Sequence, residues 1–201
     1  MRTTTMILTG AAAALMMSGC EQPTAAGSEM AEMQVDIQGD DSSHAPSGSG
    51  PMQSSADASA EIDVEARVYL RSGSDEWIAV TEGSARQTVD ASGSDGLRVL
   101  ATSEIAAGTY SHIRVEFERV EADVTGGLEI GTGLLTGSVR VEAGAGGPVV
   151  VERAVTIDAR SGARAEVEIN LNARQWLERA DAESRTVAEA EFRNAVTIIA
   201  R

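Results

Sequence analysis

From residue 61 to the end of the chain, apolar residues recur at every second position, a spacing that gives a strand one buried face and gives a helix none. Val64, Ala66, Val68 and Leu70 alternate with Asp63, Glu65, Arg67 and Tyr69. Ile113, Val115 and Phe117 alternate with Arg114, Glu116 and Glu118, and Ala165, Val167, Ile169 and Leu171 with Arg164, Glu166 and Glu168. Shorter apolar runs lie at residues 77–80, 139–141, 149–157 and 196–200. Turn-forming clusters such as Ser72-Gly73-Ser74-Asp75, Ser92-Gly93-Ser94-Asp95-Gly96, Gly126-Gly127 and Ser161-Gly162 separate these runs. Short strands at this spacing predict an all-β fold, an antiparallel β-sandwich of about seven to nine strands. One short helix is expected over residues 173–180, where Trp176, Leu177 and Ala180 share a face, plugging one end of the sandwich. The alternation changes phase between Phe117 and Val120, which predicts a β-bulge near Glu118-Arg119.

The start of the chain obeys different rules. Arg2 supplies a positive charge, residues 6–17 form an apolar run, and Met17-Ser18-Gly19-Cys20 closes it. A run of twelve residues at ~1.5 Å each spans roughly 18 Å of helix, short of the ~30 Å hydrocarbon core, so a spanning anchor is not expected. Small residues before a cysteine fit a lipobox. Residues 1–19 are expected to be a lipoprotein signal peptide and Cys20 the lipidated residue, attaching the protein to a membrane through its acyl chains. Glu21 does not carry the Asp that a common sorting rule retains at the inner membrane, so the expected location is the outer membrane, facing the periplasm.

Residues 20–60 are expected to be the lipidated Cys and a disordered acidic tether, with the β-sandwich domain at 61–201. The 21–60 stretch is rich in Ser, Gly, Ala and Pro and holds seven acids and no base, too little apolar surface to offset the entropy of ordering it. The whole chain carries 31 acidic and 16 basic residues, a net charge of −15, and every base is Arg. That charge repels phosphate backbones, so nucleic acid is not expected as a partner. The single cysteine is Cys20, which leaves the folded part without disulfides or thiolate chemistry.

The most distinctive internal motif is Ala107-Gly108-Thr109-Tyr110-Ser111-His112-Ile113-Arg114. Gly108 offers a positive φ for a sharp entry turn, and Tyr110 is placed to reach back and cap a backbone carbonyl, in the manner of a tyrosine corner. The motif resembles the A-G-x-Y-x-x-I-R signature of a family of bacterial lipoprotein domains of unknown function, similar in turn to transthyretin-like β-sandwich modules. That resemblance covers residues 61–201 and implies a fold and a location. It implies no catalytic residue.

Enzyme chemistry finds little support. The folded region has one histidine, His112, inside a strand, and no G-x-S-x-G elbow. Glu116 and Glu118 pair on one strand without an evident apolar cleft to raise an acid's pKa. Asp90, Ser92 and Ser94 imitate the start of a calcium loop, but Asp95 stands where glycine belongs. Neither cofactor nor metal is expected. By alternation Tyr110, His112, Arg114 and Glu116 form one outward polar stripe, the candidate binding face. The function expected is that of a non-catalytic structural or binding module, with envelope proteins as the expected partners. The alternative is an envelope ligand-sensing or enzyme-like protein using the same four residues.

Overall fold

A computed structural model describes residues 29–40, 59–73, 76–130 and 133–201. The expected signal peptide, Cys20 and most of the expected tether therefore lie outside the described residues. Eleven strands and two short helices follow in chain order: β1 (Met30–Gln38), β2 (Ser59–Arg71), β3 (Trp77–Ala79), β4 (Ala85–Asp90), β5 (Arg98–Ala106), β6 (Gly108–Ile130), β7 (Gly133–Glu142), β8 (Val149–Ala159), β9 (Arg164–Asn170), α1 (Ala173–Leu177), β10 (Thr186–Ala188), α2 (Glu189–Ala195) and β11 (Thr197–Ala200). They form two sheets. The smaller has the order β11-β9-β1-β5; the larger runs β10-β7-β6-β2-β3, with β4 on β2 and β8 on β6.

The all-β sandwich expected from the alternation is what the chain builds, with two differences. There are eleven strands among the described residues, and two pairings are parallel, β1 with β9 and β10 with β7. Inward residues of both sheets form one cluster. Met33, Val35, Ile37, Val167 and Ile169 of the smaller sheet pack there with Ile62, Val68, Leu70, Ile113, Val115 and Phe117 of the larger.

The expected boundary at residue 61 is too late. Met30–Gln38, assigned from composition to a disordered tether, is a central strand of the smaller sheet, antiparallel to β5 and parallel to β9. Its inward residues Met33, Val35 and Ile37 are fully buried. Each such side chain contributes about 1.5–3 kcal/mol on burial, while Glu32, Gln34 and Asp36 alternate onto the opposite face of the strand, where Asp36 is buried but hydrogen-bonded. Asp36 accepts from Gln34 Nε2 there, and Gln38 Nε2 donates to Glu168 at 2.8 Å.

The strand β6 is long because it serves two partners in turn. Residues 108–117 pair with β8 and residues 121–130 with β7, while β2 runs along the other edge. Between those halves Glu65 faces Arg119 and Ala66 faces Phe117, which leaves Glu118 as the extra residue. The bulge expected near Glu118-Arg119 is thus present, and it restores Val120, Ala122 and Val124 to the core after Phe117. Past it, Gly126 and Gly127 take φ values of 76° and 89° where the pairing with β7 shifts again.

The helix expected over residues 173–180 forms over Ala173–Leu177, and α2 is a second one. Together they bury an aromatic trio. The Phe192 ring packs edge-on against Phe117 at 5.1 Å and against Trp176 at 5.6 Å. Asn172 enters α1 with φ 47°, a left-handed conformation that asparagine tolerates, and its side-chain amide donates to Ala195 O, fastening the two helices together.

Candidate binding face

Because Ile113, Val115 and Phe117 point into the core, the alternation of β6 sends His112, Arg114 and Glu116 out onto the exposed face of the larger sheet. Strand pairing then sets their neighbours. In one row Trp77, Arg71, His112 and Ala154 stand side by side on β3, β2, β6 and β8; in the next stand Ala79, Tyr69, Arg114 and Glu152; in the third Arg67, Glu116 and Val150. Three of the four residues of the expected stripe therefore share a face.

Tyr110 does not. It is buried in the core, and its hydroxyl donates to the carbonyl oxygen of Ala106 at 2.7 Å. The reason is a register shift between Tyr110 and His112, where Tyr110 faces Ile157 of β8 but His112 faces Ala154. Two consecutive residues, Ser111 and His112, consequently face away from the core and the phase of alternation reverses. The same geometry fulfils the expected corner: Tyr110 reaches back four residues to a backbone carbonyl, and burial pushes its hydroxyl above its ordinary pKa. Gly108 has φ 159°, positive but at the margin of extended backbone, so its turn is gentler than a left-handed residue would make.

The centre of the face is Trp77. The guanidinium of Arg114 lies 4.1 Å from its ring centroid and that of Arg71 4.8 Å away. Glu152 bridges both cations, at 3.2 Å from Arg114 and 3.5 Å from Arg71. Each cation–π contact contributes about 0.5–1 kcal/mol at a partly exposed site, and each exposed ion pair about 0–1 kcal/mol. Their value lies in acting together: a ring, two cations and a carboxylate from four strands hold one another in place. The Nε of Arg114 is buried without a hydrogen-bond partner, so its guanidinium gives up one bond to stay over the ring.

At the edge of this cluster the Ser111 hydroxyl lies 2.9 Å from His112 Nδ1 and within 3.3 Å of the Arg71 carbonyl oxygen. The pair lacks the third member that activates a nucleophile, since among the described residues His112 contacts no carboxylate. Glu118, two residues from Glu116 on the same strand, is taken up by Arg67 at 2.7 Å and by the Ser84 hydroxyl. Asp90 accepts from the backbone N–H of Ser92 at 2.8 Å and from its hydroxyl; burial pushes Asp90 up, but these bonds and those of Ser94 hold it below the usual carboxylate range. The calcium-like spacing is thus an internally satisfied turn. Among the described residues no three His, Cys, Asp or Glu side chains gather to hold a metal, and no helix is long and apolar enough to cross a membrane.

Trp77, Arg71 and Glu152 were absent from the expected stripe. Each sits on a different strand from His112, and which strands become neighbours is decided by pairing order rather than by any local pattern. Comparison with protein-family models, with curated proteins and with solved structures found no match to this chain.

Proposed function

We propose that this protein is a lipid-anchored protein of the cell envelope whose β-sandwich is a non-catalytic structural or binding module, working through the face centred on Trp77. The resemblance of Ala107-Gly108-Thr109-Tyr110 and Ile113-Arg114 to a bacterial lipoprotein signature and the lipobox ending in Cys20 support the location. The observation that carries the binding role is the Trp77–Arg71–Arg114–Glu152 cluster. It presents an aromatic ring and two guanidiniums already fixed by their neighbours, so little side-chain entropy remains to be lost when a partner docks. Tryptophan and arginine are also the residue types that dominate binding energy at protein interfaces.

The test uses detergent extracts of the native envelope. Wild-type protein is expected to partition with membranes after high-salt washing and to capture a protein partner, whereas Cys20→Ala is expected to leave the membrane fraction. Arg114→Ala and Trp77→Ala should each lose the partner while staying folded. Membrane retention of Cys20→Ala would overturn the anchor, and undiminished capture by Trp77→Ala would overturn the face. A small molecule co-purifying in place of a protein would favour ligand sensing at the same surface.

A further inference from the structure

Among the described residues β5 pairs with β1 alone, and it is the terminal strand of the smaller sheet. The ladder also fixes which of its backbone groups are uncommitted. Ala107 N–H donates to Glu29 O at 2.7 Å, and the antiparallel register continues from there through Ile105 opposite Ala31 and Ser103 opposite Met33. Hydrogen-bonded positions alternate in an antiparallel pair, so 105 and 103 bond to β1 while the N–H and C=O of Thr102 and Glu104 point to the free edge.

That edge opens on a groove of about 520 Å³ between residues 101–104 and the connection from β3 to β4, residues 80–85. The groove is acidic. Glu82 and Glu104 are among its lining residues and no Arg is; Arg67, which donates to the lining Ser84, is paired with Glu118 at 2.7 Å, and the cations of β4 and β5 are engaged too, Arg86 with Glu65 at 2.6 Å and Arg98 with Asp95 at 2.9 Å. Just upstream, Val99 of β5 and Leu97 before it are exposed apolar residues. Natural edge strands are blunted by Pro, by charged side chains, by inward-pointing charges or by bulges; β5, Arg-Val-Leu-Ala-Thr-Ser-Glu-Ile-Ala, has no Pro or Lys, one bulge at Leu100 and, between Val99 and Ile105, the single charge of Glu104.

We propose that this groove receives an extended, basic segment of a partner protein, which adds a strand to β5 through the backbone groups of Thr102 and Glu104. Backbone bonds supply the affinity and side-chain pockets the choice of sequence, as in other strand additions. Charge decides among occupants: two copies of a chain with net charge −15 repel, whereas Lys or Arg on alternate positions of an incoming strand meet Glu82 and Glu104, and apolar residues meet Val99. None of these residues belongs to the Trp77 face, so this site stands or falls independently of that reading.

The probe is a fluorescent peptide of about seven residues alternating Lys and Val, long enough to span the groove at ~3.4 Å per residue, with a Glu-Val peptide as control. Binding to the full chain is followed by anisotropy, and backbone protection by amide hydrogen exchange. The basic peptide is expected to bind and to slow exchange of the Thr102 and Glu104 amides by about tenfold or more while leaving Ser103 and Ile105, already in the ladder, unchanged. Glu104→Arg should weaken it by about fivefold or more, an effect that shrinks in high salt. Thr102→Pro, which removes only an edge-facing donor, should abolish binding with the unfolding midpoint kept. Equal binding of the acidic peptide, absence of protection at Thr102 and Glu104, or protection that appears without peptide in step with dimer formation on sedimentation would each overturn the proposal.

Discussion

At Tyr110 a single side chain decides how its neighbours face. Its hydroxyl bond to Ala106 O pins the residue in the core, and the register shift beside it turns Ser111 and His112 outward. Tyr110→Phe is expected to cost about 1 kcal/mol by chemical denaturation, the net worth of one buried hydrogen bond. His112→Ala should stay within about ±0.5 kcal/mol, because its side chain hydrogen-bonds to an exposed hydroxyl on the outer face of the sheet. Gly93 is different in kind: its φ is 72° and an added Cβ would lie 1.9 Å from Asp40 O. Gly93→Ala should therefore cost about 2 kcal/mol or more, since strain and overlap add. Glu121 gives the pH dependence. The Ser138 hydroxyl and Arg119 hydrogen-bond its carboxylate and hold it below its ordinary value of 4.5. A carboxyl lowered by folding stabilises the protein above its unfolded pKa and loses that contribution as the pH falls through the folded one. Stability curves of wild type and Glu121→Gln are accordingly expected to differ near neutral pH and to draw together progressively as the pH falls below the unfolded value of 4.5 and through the lower folded one; a gap that stays constant across the whole acid range would contradict it.

The legible elements are those whose pattern is local. The alternation in β2, β6 and β9 is long enough to mark an apolar face, and the parity change after Phe117 marks the bulge at Glu118, because a bulge is the only way a strand can change parity and keep its core face. The helix at residues 173–177 was legible from Trp176 and Leu177 on one side. β4 and β5 were not, since Arg98-Val99-Leu100 and Gln87-Thr88-Val89 lack a run of alternate apolar residues; β5 in addition carries a bulge at Leu100 that breaks its pattern. For β1 the signal existed. Ala31, Met33, Val35 and Ile37 alternate perfectly with Glu32, Gln34, Asp36 and Gln38, yet averaging composition over forty residues submerged nine of them. Of the binding face, the positions on β6 were readable, whereas Trp77, Arg71 and Glu152 joined it through strand pairing that no periodicity encodes. At this scale, Arg114→Ala should loosen the junction of β2, β3, β6 and β8, costing about 1–2 kcal/mol through two lost contacts with Trp77 and Glu152. Arg114→Lys should recover only part, because an ammonium cannot lie flat on the ring and reach the carboxylate at once.

For the molecule as a whole, β1 joins segments that are far apart in sequence. It lies between β5 and β9 in the smaller sheet, and β9 in turn carries β11. Without it, β5 and β9 have no common neighbour and the inward faces of both lose Met33, Val35 and Ile37, three fully buried side chains. At about 1.5–3 kcal/mol each, their removal rivals the 5–15 kcal/mol of net stability that a domain possesses. The most direct test of a sandwich that begins at Met30 compares urea unfolding of two shortened proteins, one starting at residue 29 and one at residue 61. The first is expected to unfold in one cooperative transition with the m-value and midpoint of the full chain, and the second to lose that transition or to show a sharply reduced m-value and midpoint. Equal m-values and midpoints for the two would show that Met30–Gln38 adds nothing to the core, and the smaller sheet described here would be wrong.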